Sequence, residues 1–235
     1  MDDIINNPEE EVYGKKYKNA IEEIRAELKS EFGKMPEGWS WSRDRKLPAT
    51  LSREECESLM SAYDKGKFAF RNNLIIRTLY ATGLRAEELE NIKFCDIFYD
   101  NKTVFVRAGK GDKDRYCAID KTTLELLKKW QEGKELAESV FGITLRQIRR
   151  VVEGAGEVTG ISKKYEAMGR VFSTHSMRHA YATHCYENGM RLPTLQRFMG
   201  HEYILTTMVY LYTSQRYDVV EYERCHPLGK DDNFK

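Results

Sequence analysis

Apolar residues first recur at helical spacing in YKNAIEEIRAELKSEF, residues 17–32, where Ile21, Ile24, Leu28 and Phe32 stand among mixed charges; this predicts one amphipathic helix. The polar residues 1–16 before it carry no such period and read as a flexible lead. The stretch GKMPEGWSWSRDRKLPAT after it, with its Gly, Pro and Trp residues, reads as a linker ending near Pro48. A compact domain begins at Ser52, where Ser52-Arg-Glu-Glu55 has the spacing of a capping box ahead of a helix bearing Leu59, Met60 and Tyr63. Residues 68–82, FAFRNNLIIRTLYAT, are apolar around much of the helical circumference, so this helix crosses the core and Leu74, Ile75, Ile76, Leu79 and Tyr80 are core residues. Gly83 supplies a left-handed end. Arg85 then opens a short helix, RAEELENI, whose first N–H groups and dipole favour an anion.

Between Phe94 and Ile119 the period shortens. Thr103–Arg107 and Tyr116–Ile119 are β-prone runs joined by AGKGDKD, with an earlier turn at Asp100–Lys102, which predicts a two- or three-stranded antiparallel sheet. Helical patterns resume at about 121–131, 144–154, 175–188 (closed by Gly189), 193–199 (opened by Pro193) and 204–213. The fold class expected is mainly α with a small antiparallel β-sheet, α+β, with the sheet at one edge.

Composition narrows the class. Hydrophobic residues make up 41% of the 235, and no apolar run approaches the roughly 18 residues of a membrane span. The start, MDDIINNPEEEVYG, is acidic and lacks the apolar segment of a secretory signal, so a cytoplasmic location without membrane attachment is expected. Cys56, Cys95, Cys117, Cys185 and Cys225 are odd in number, widely spaced and without a C-x-x-C pair, which argues against a disulfide framework or a zinc ribbon. His175, His179 and His184 have spacings that occur in zinc sites, but the Glu of H-E-x-x-H is missing, so no metal is expected. The net charge of +1 hides an uneven distribution: residues 143–179 hold seven bases (Arg146, Arg149, Arg150, Lys163, Lys164, Arg170, Arg178) and three acids (Glu153, Glu157, Glu166), 7 − 3 = +4. Such a face suits a polyanion, although charge alone is equally compatible with a solvated helix face.

The chemistry concentrates in 174–213, where His175, Arg178, His201 and Tyr210 follow one another. Cutting a phosphodiester with a tyrosine requires a nucleophile, a proton acceptor, cations on the non-bridging oxygens and a proton for the leaving 5′-oxygen. Arg85 and Arg178 are permanently charged forks suited to the phosphate oxygens. His175, three residues before Arg178 on one helical face, is a candidate base or hydrogen-bond partner. His201 is a candidate donor to a phosphate oxygen, Lys110 at the hairpin tip a candidate acid, and Tyr210 the candidate nucleophile. Lys113 and Arg115 compete with Lys110 by position. Tyr212 competes with Tyr210, but about 200° of helical rotation separates them, so only one can face the phosphate.

At these residues the chain resembles the tyrosine recombinases, the phage-integrase and Xer-type family. ATGLRAEEL around Arg85 resembles the segment with the family's first arginine, and GKGDKDR the hairpin with its lysine, a position that favours Lys110. HSMRHAYATH resembles the His-x-x-Arg box, and MGHEYILTTMVY the final His-to-Tyr segment. The resemblance implies a catalytic domain over 47–213 in which Tyr210 forms a 3′-phosphotyrosyl bond and releases a 5′-hydroxyl, with no ATP, metal or other cofactor. It implies double-stranded DNA as substrate, held in part by Lys113, Arg115, Arg146, Arg149, Arg150, Lys163 and Lys164, and a homotetramer assembled on two DNA sites. Residues 1–46 then read as a truncated or minimal core-binding region, since the family's helical clamp domain is longer, and a partner recombinase or accessory protein is an expected source of the missing half. Residues 214–235 read as a tail that either packs on its own domain or, as the resemblance implies, docks on a neighbouring subunit through Val219, Val220 and Tyr222. The alternatives are a recombinase-derived DNA-binding regulator and a type IB topoisomerase.

Overall fold

The computed structural model describes residues 50–107 and 114–201. The helices expected at 17–32 and 204–213, the loop carrying Lys110 and Lys113, the nucleophile candidates Tyr210 and Tyr212 and the C-terminal tail lie outside those residues.

The first described helix, α1 (Arg53–Met60), starts where the capping pattern places it. The Ser52 hydroxyl accepts the Glu55 N–H at 3.2 Å, and the Glu55 carboxylate accepts the Ser52 N–H at 2.8 Å. Its buried side chains, Cys56 and Leu59, pack on α2 (Ala69–Thr82), which crosses the core with Leu74, Ile75, Ile76 and Leu79. Tyr80, expected in that core, is half-buried at its margin. Two threonines are buried on the same helix without cost in unmet hydrogen bonds, because Thr78 donates to Leu74 O at 2.7 Å and Thr82 to Thr78 O at 2.6 Å.

Gly83 ends α2 at φ 65°, and glycine is required there twice over: a side chain would adopt the left-handed conformation and its Cβ would lie 2.3 Å from the Tyr181 ring. The short α3 (Ala86–Asn91) follows at once, with Arg85 as its N-cap, and a 3-10 turn (Phe94–Asp96) leads into the sheet.

Strands β1 (Ile97–Phe98), β2 (Thr103–Val106) and β3 (Arg115–Ala118) form an antiparallel meander in the order β1-β2-β3, so the sheet has three strands among the described residues. Val104 lies opposite Cys117 and Val106 opposite Arg115, which sends these four side chains to the core face. Phe98, Phe105 and Tyr116 cluster on the other face, with ring centroids 5.8 Å (Phe98–Tyr116) and 5.1 Å (Phe105–Tyr116) apart.

Helices α4 (Lys121–Gln131), α5 (Leu145–Val158), α6 (Ile161–Ala167), α7 (Thr174–Glu187) and α8 (Leu192–Met199) complete the described fold. The structure departs from the sequence pattern in one region: α5 continues past residue 154, and α6 is an additional helix. Gly154 and Gly156, which interrupt the apolar pattern, serve close packing instead of ending the helix. A Cβ at Gly154 would sit 2.7 Å from the Tyr63 hydroxyl, and one at Gly156 2.5 Å from the Phe172 ring. The Tyr63 hydroxyl in turn donates to Val151 O at 2.7 Å, pinning α5 across α1 and α2. Met177 and Ala180 of α7 join the main core, while Tyr181 and Ala182 form a second small cluster with Leu195 and Met199 of α8. The end of α8 is thereby fixed beside Gly83 and β3.

Candidate active site: arginines gathered around Glu88

The Arg85 backbone is extended at the head of α3, and two of its groups turn toward the third residue of that helix. Its N–H donates to Glu88 Oε2 at 2.7 Å, and Nη1 to Glu88 Oε1 at 3.0 Å. From the sheet, Arg115 reaches the same carboxylate with both terminal nitrogens, Nη1 to Oε1 and Nη2 to Oε2, each 2.8 Å, the fork-to-fork geometry available only to arginine. Arg178 enters from α7, its Nη1 3.9 Å from Glu88 Oε2. Three guanidinium charges against one carboxylate leave a local net charge of 3 − 1 = +2.

Arg178 is the most constrained of the three. Its side chain is 6% exposed, its Nη1 donates to Gly83 O at 2.7 Å, and its Nη2 donates to Met199 O. Two helix ends, those of α2 and α8, thus offer C-terminal carbonyls to one cation, which is the favourable end of each helix dipole. Burial would raise the Glu88 carboxyl, but hydrogen bonds and charge from Arg115, the Arg85 N–H and the charge of Arg178 together hold it below the usual carboxylate range.

His201 follows Gly200, which closes α8 in the left-handed conformation at φ 65°. Its N–H donates to Gln196 O at 3.2 Å, and Gln196 Nε2 donates back to His201 O at 3.1 Å, fixing the backbone. The ring Nε2 lies 3.1 Å from Arg178 Nη2. Arginine only donates, so Nε2 is the acceptor and Nδ1 carries the proton. Burial, then the positive charges of Arg178, Arg85 and Arg115, pushes the imidazole from its ordinary 6.5 down to about 3. The ring is neutral at neutral pH, with its proton on Nδ1.

His175 sits in the first turn of α7, exposed, three residues before Arg178, with its N–H donating to Ser173 Oγ at 3.3 Å. The structure therefore gathers Arg85, Arg178 and His201 in one place, with His175 at the exposed end of the helix that carries Arg178. Arg146, Arg149, Arg150, Lys163 and Lys164 are exposed on α5 and α6. Arg149 lies 3.8 Å from Glu87 of α3, which places the basic start of α5 next to the helix headed by Arg85.

Arg115, expected as a DNA contact, is 8% exposed, and its third donor, Nε, bonds Phe198 O at 2.9 Å. Strand alternation carried the signal: Arg115 and Cys117 share a face, and Cys117 is buried. Glu88 was missed as a site residue. Its signal was local, since in RAEEL it occupies the third helical position after Arg85, where an acid returns a hydrogen bond to the N-cap.

In this mostly helical α+β domain three arginines from separate elements meet at one carboxylate, with the histidine-bearing end of α8 beside Arg178. The model of the phage integrase family matches residues 49–216, and the chain belongs to that family. It is 32% identical over 195 residues to the tyrosine recombinase XerC of Corynebacterium glutamicum, covering 78% of this chain and 60% of that protein. It is 34% identical over 167 residues to the tyrosine recombinase XerA of Thermococcus onnurineus, covering 71% of this chain and 58% of that protein. The chain thus spans about three fifths of the length of these relatives. Among solved structures it superposes on the XerH site-specific recombinase bound to a palindromic difH substrate, a post-cleavage complex, with TM-score 0.62 and 27% identity over 81% of this chain and 57% of that one.

Proposed function

We propose that this chain is a site-specific DNA recombinase or integrase that cleaves and rejoins DNA strands through a 3′-phosphotyrosyl intermediate. The observation that carries this reading is the net positive cluster in which Arg85 and Arg178 approach one buried carboxylate from different helices while His201 presents a neutral ring beside them. A phosphodiester entering a pentacoordinate transition state gains charge on its non-bridging oxygens, and preorganised donors contribute most where that charge develops. The guanidiniums supply fixed charge. His201 Nδ1–H supplies a donor whose proton stays in place through neutral pH.

In this reading the Tyr210 oxygen attacks phosphorus, the phosphorus–O5′ bond breaks, and the departing 5′-oxygen takes a proton from Lys110. His175 accepts the tyrosine proton. The phosphotyrosyl bond keeps the energy of the phosphodiester, so a 5′-hydroxyl of another strand reverses the steps and joins to a new partner. The exposed bases Arg146, Arg149, Arg150, Lys163 and Lys164, with Lys113, hold the duplex. Strand exchange between two sites requires four active tyrosines, hence a tetramer on DNA. The likeness to XerH, a site-specific recombinase bound to its palindromic difH substrate, supports DNA as the partner. Among the described residues no helix is long and apolar enough to cross a membrane.

The test is to incubate the chain with fragmented DNA of its source genome, denature in detergent and sequence the DNA that stays attached. DNA trapped by the wild type and absent from Tyr210→Phe, which still binds DNA, is the expected result. An equal yield from Tyr210→Phe overturns the assignment of the nucleophile.

A further inference from the structure

Arg115 lies on β3 at the strand end next to loop 108–113, and its guanidinium is shut away from solvent at 8% side-chain exposure. Its three donors go to two separate parts of the site. Nη1 and Nη2 hold Glu88, the residue that also accepts both Arg85 donors. Nε holds Phe198 O in the last turn of α8, three residues before His201. The Cys117 thiol donates to the same carbonyl at 3.2 Å, so β3 meets this helix end at two points. The α-carbon of Gly200 approaches so closely that an added Cβ would lie 2.8 Å from the Arg115 guanidinium. The cation fills the space between the hairpin, the head of α3 and the end of α8.

We infer that Arg115 is a positioning residue for strand cleavage: it fixes the Arg85 and His201 segments relative to each other and anchors β3 to the end of α8, and it does not contact DNA. Its chemistry suits the task. A planar fork with a separate Nε–H serves a carboxylate and a carbonyl at fixed mutual angles, whereas a lysine ammonium reaches one of them. A buried Arg–Glu pair contributes little net stability relative to an apolar pair, so what it supplies here is geometry. The geometry matters because displacement of catalytic groups by about 1 Å costs about a hundredfold in rate.

The inference rests on the recombinase reading, and its test separates the two. Arg115→Gln and Arg115→Lys are compared with wild type in the full chain by three measurements. The first is the salt dependence of binding to a random-sequence 30-base-pair duplex. The second is the rate of covalent adduct formation on the DNA trapped by wild type. The third is the long-range 1H–15N spectrum of the histidines without DNA, which reports the His201 tautomer. The expected result is an unchanged salt slope, adduct formation slower by about a hundredfold, and displaced His201 ring signals. A slope shallower by about 0.9, the contribution of one phosphate contact, makes Arg115 a DNA ligand and overturns the inference. So does an unmoved His201 spectrum, or an adduct rate equal to wild type. Failure of the wild type to form adducts on any DNA refutes the recombinase reading, while the slope and the spectrum still decide whether Arg115 positions His201. If Arg115→Gln does not fold, Arg115→Lys decides alone, because it keeps a charge beside Glu88 and loses the fork; wild-type behaviour in it overturns the inference.

Discussion

His201 illustrates how a single side chain takes its properties from its surroundings. The sequence pattern makes it a candidate donor to a phosphate, and in the structure Arg178 occupies Nε2, so the proton resides on Nδ1. The same burial has a consequence for stability. His201, His179 and His184 all have folded-state pKa values below their ordinary 6.5, each chiefly because burial penalises the charged ring. Below pH 6.5 the unfolded chain therefore binds more protons than the folded one, and folding stability falls as pH drops from 6.5 toward 3. Urea denaturation at about pH 7.5 and about pH 5 is expected to show a lower midpoint in acid, with the difference reduced in His201→Gln; an equal or higher midpoint at the lower pH would contradict the buried neutral rings. Glu88 and Arg115 were harder to read. Each carries a charge, and charge in a sequence points first to solvent or ligand, whereas here the two opposite charges are buried against each other.

Gly83 shows how the junction between two helices builds the site. The glycine ends α2, lets the N-cap of α3 follow two residues later, admits the Tyr181 ring and offers its carbonyl to Arg178. Gly83→Ala is expected to lower stability by about 1–2 kcal/mol from the left-handed backbone alone, and further because Tyr181 must move. Gly133→Ala is the control, since Gly133 is also left-handed, at φ 76°, but has nothing within 4 Å of an added Cβ. Matched losses in urea denaturation would mean that Tyr181 packing contributes nothing. The elements with strong local signals were legible beforehand: the capped start of α1, the apolar α2, the glycine at its end and the hairpin strands. The α5–α6 region was not, because Gly154 and Gly156 look like helix breakers until the Tyr63 and Phe172 rings that pack on them are seen.

Across the whole chain, the residues proposed to act together come from five places far apart in sequence: Arg85, Lys110, the His175–Arg178 turn, His201 and Tyr210. Their order and spacing carried the family resemblance, and membership is shown by the match over 49–216. What spacing leaves unread is mutual geometry: one carboxylate tying α3 to β3, and one arginine tying two helix ends together, arise only when α7 and α8 pack beside Gly83. The most direct measurement is chemical identification of the protein–DNA bond. Adducts recovered after detergent denaturation are digested with nuclease and protease, and the nucleotide-bearing peptide is located by mass spectrometry. The expected peptide carries a nucleotide on the Tyr210 oxygen through its 3′-phosphate, with a free 5′-hydroxyl on the released strand. A nucleotide on Tyr212 or on a serine, or a link through the 5′-phosphate, would contradict the mechanism.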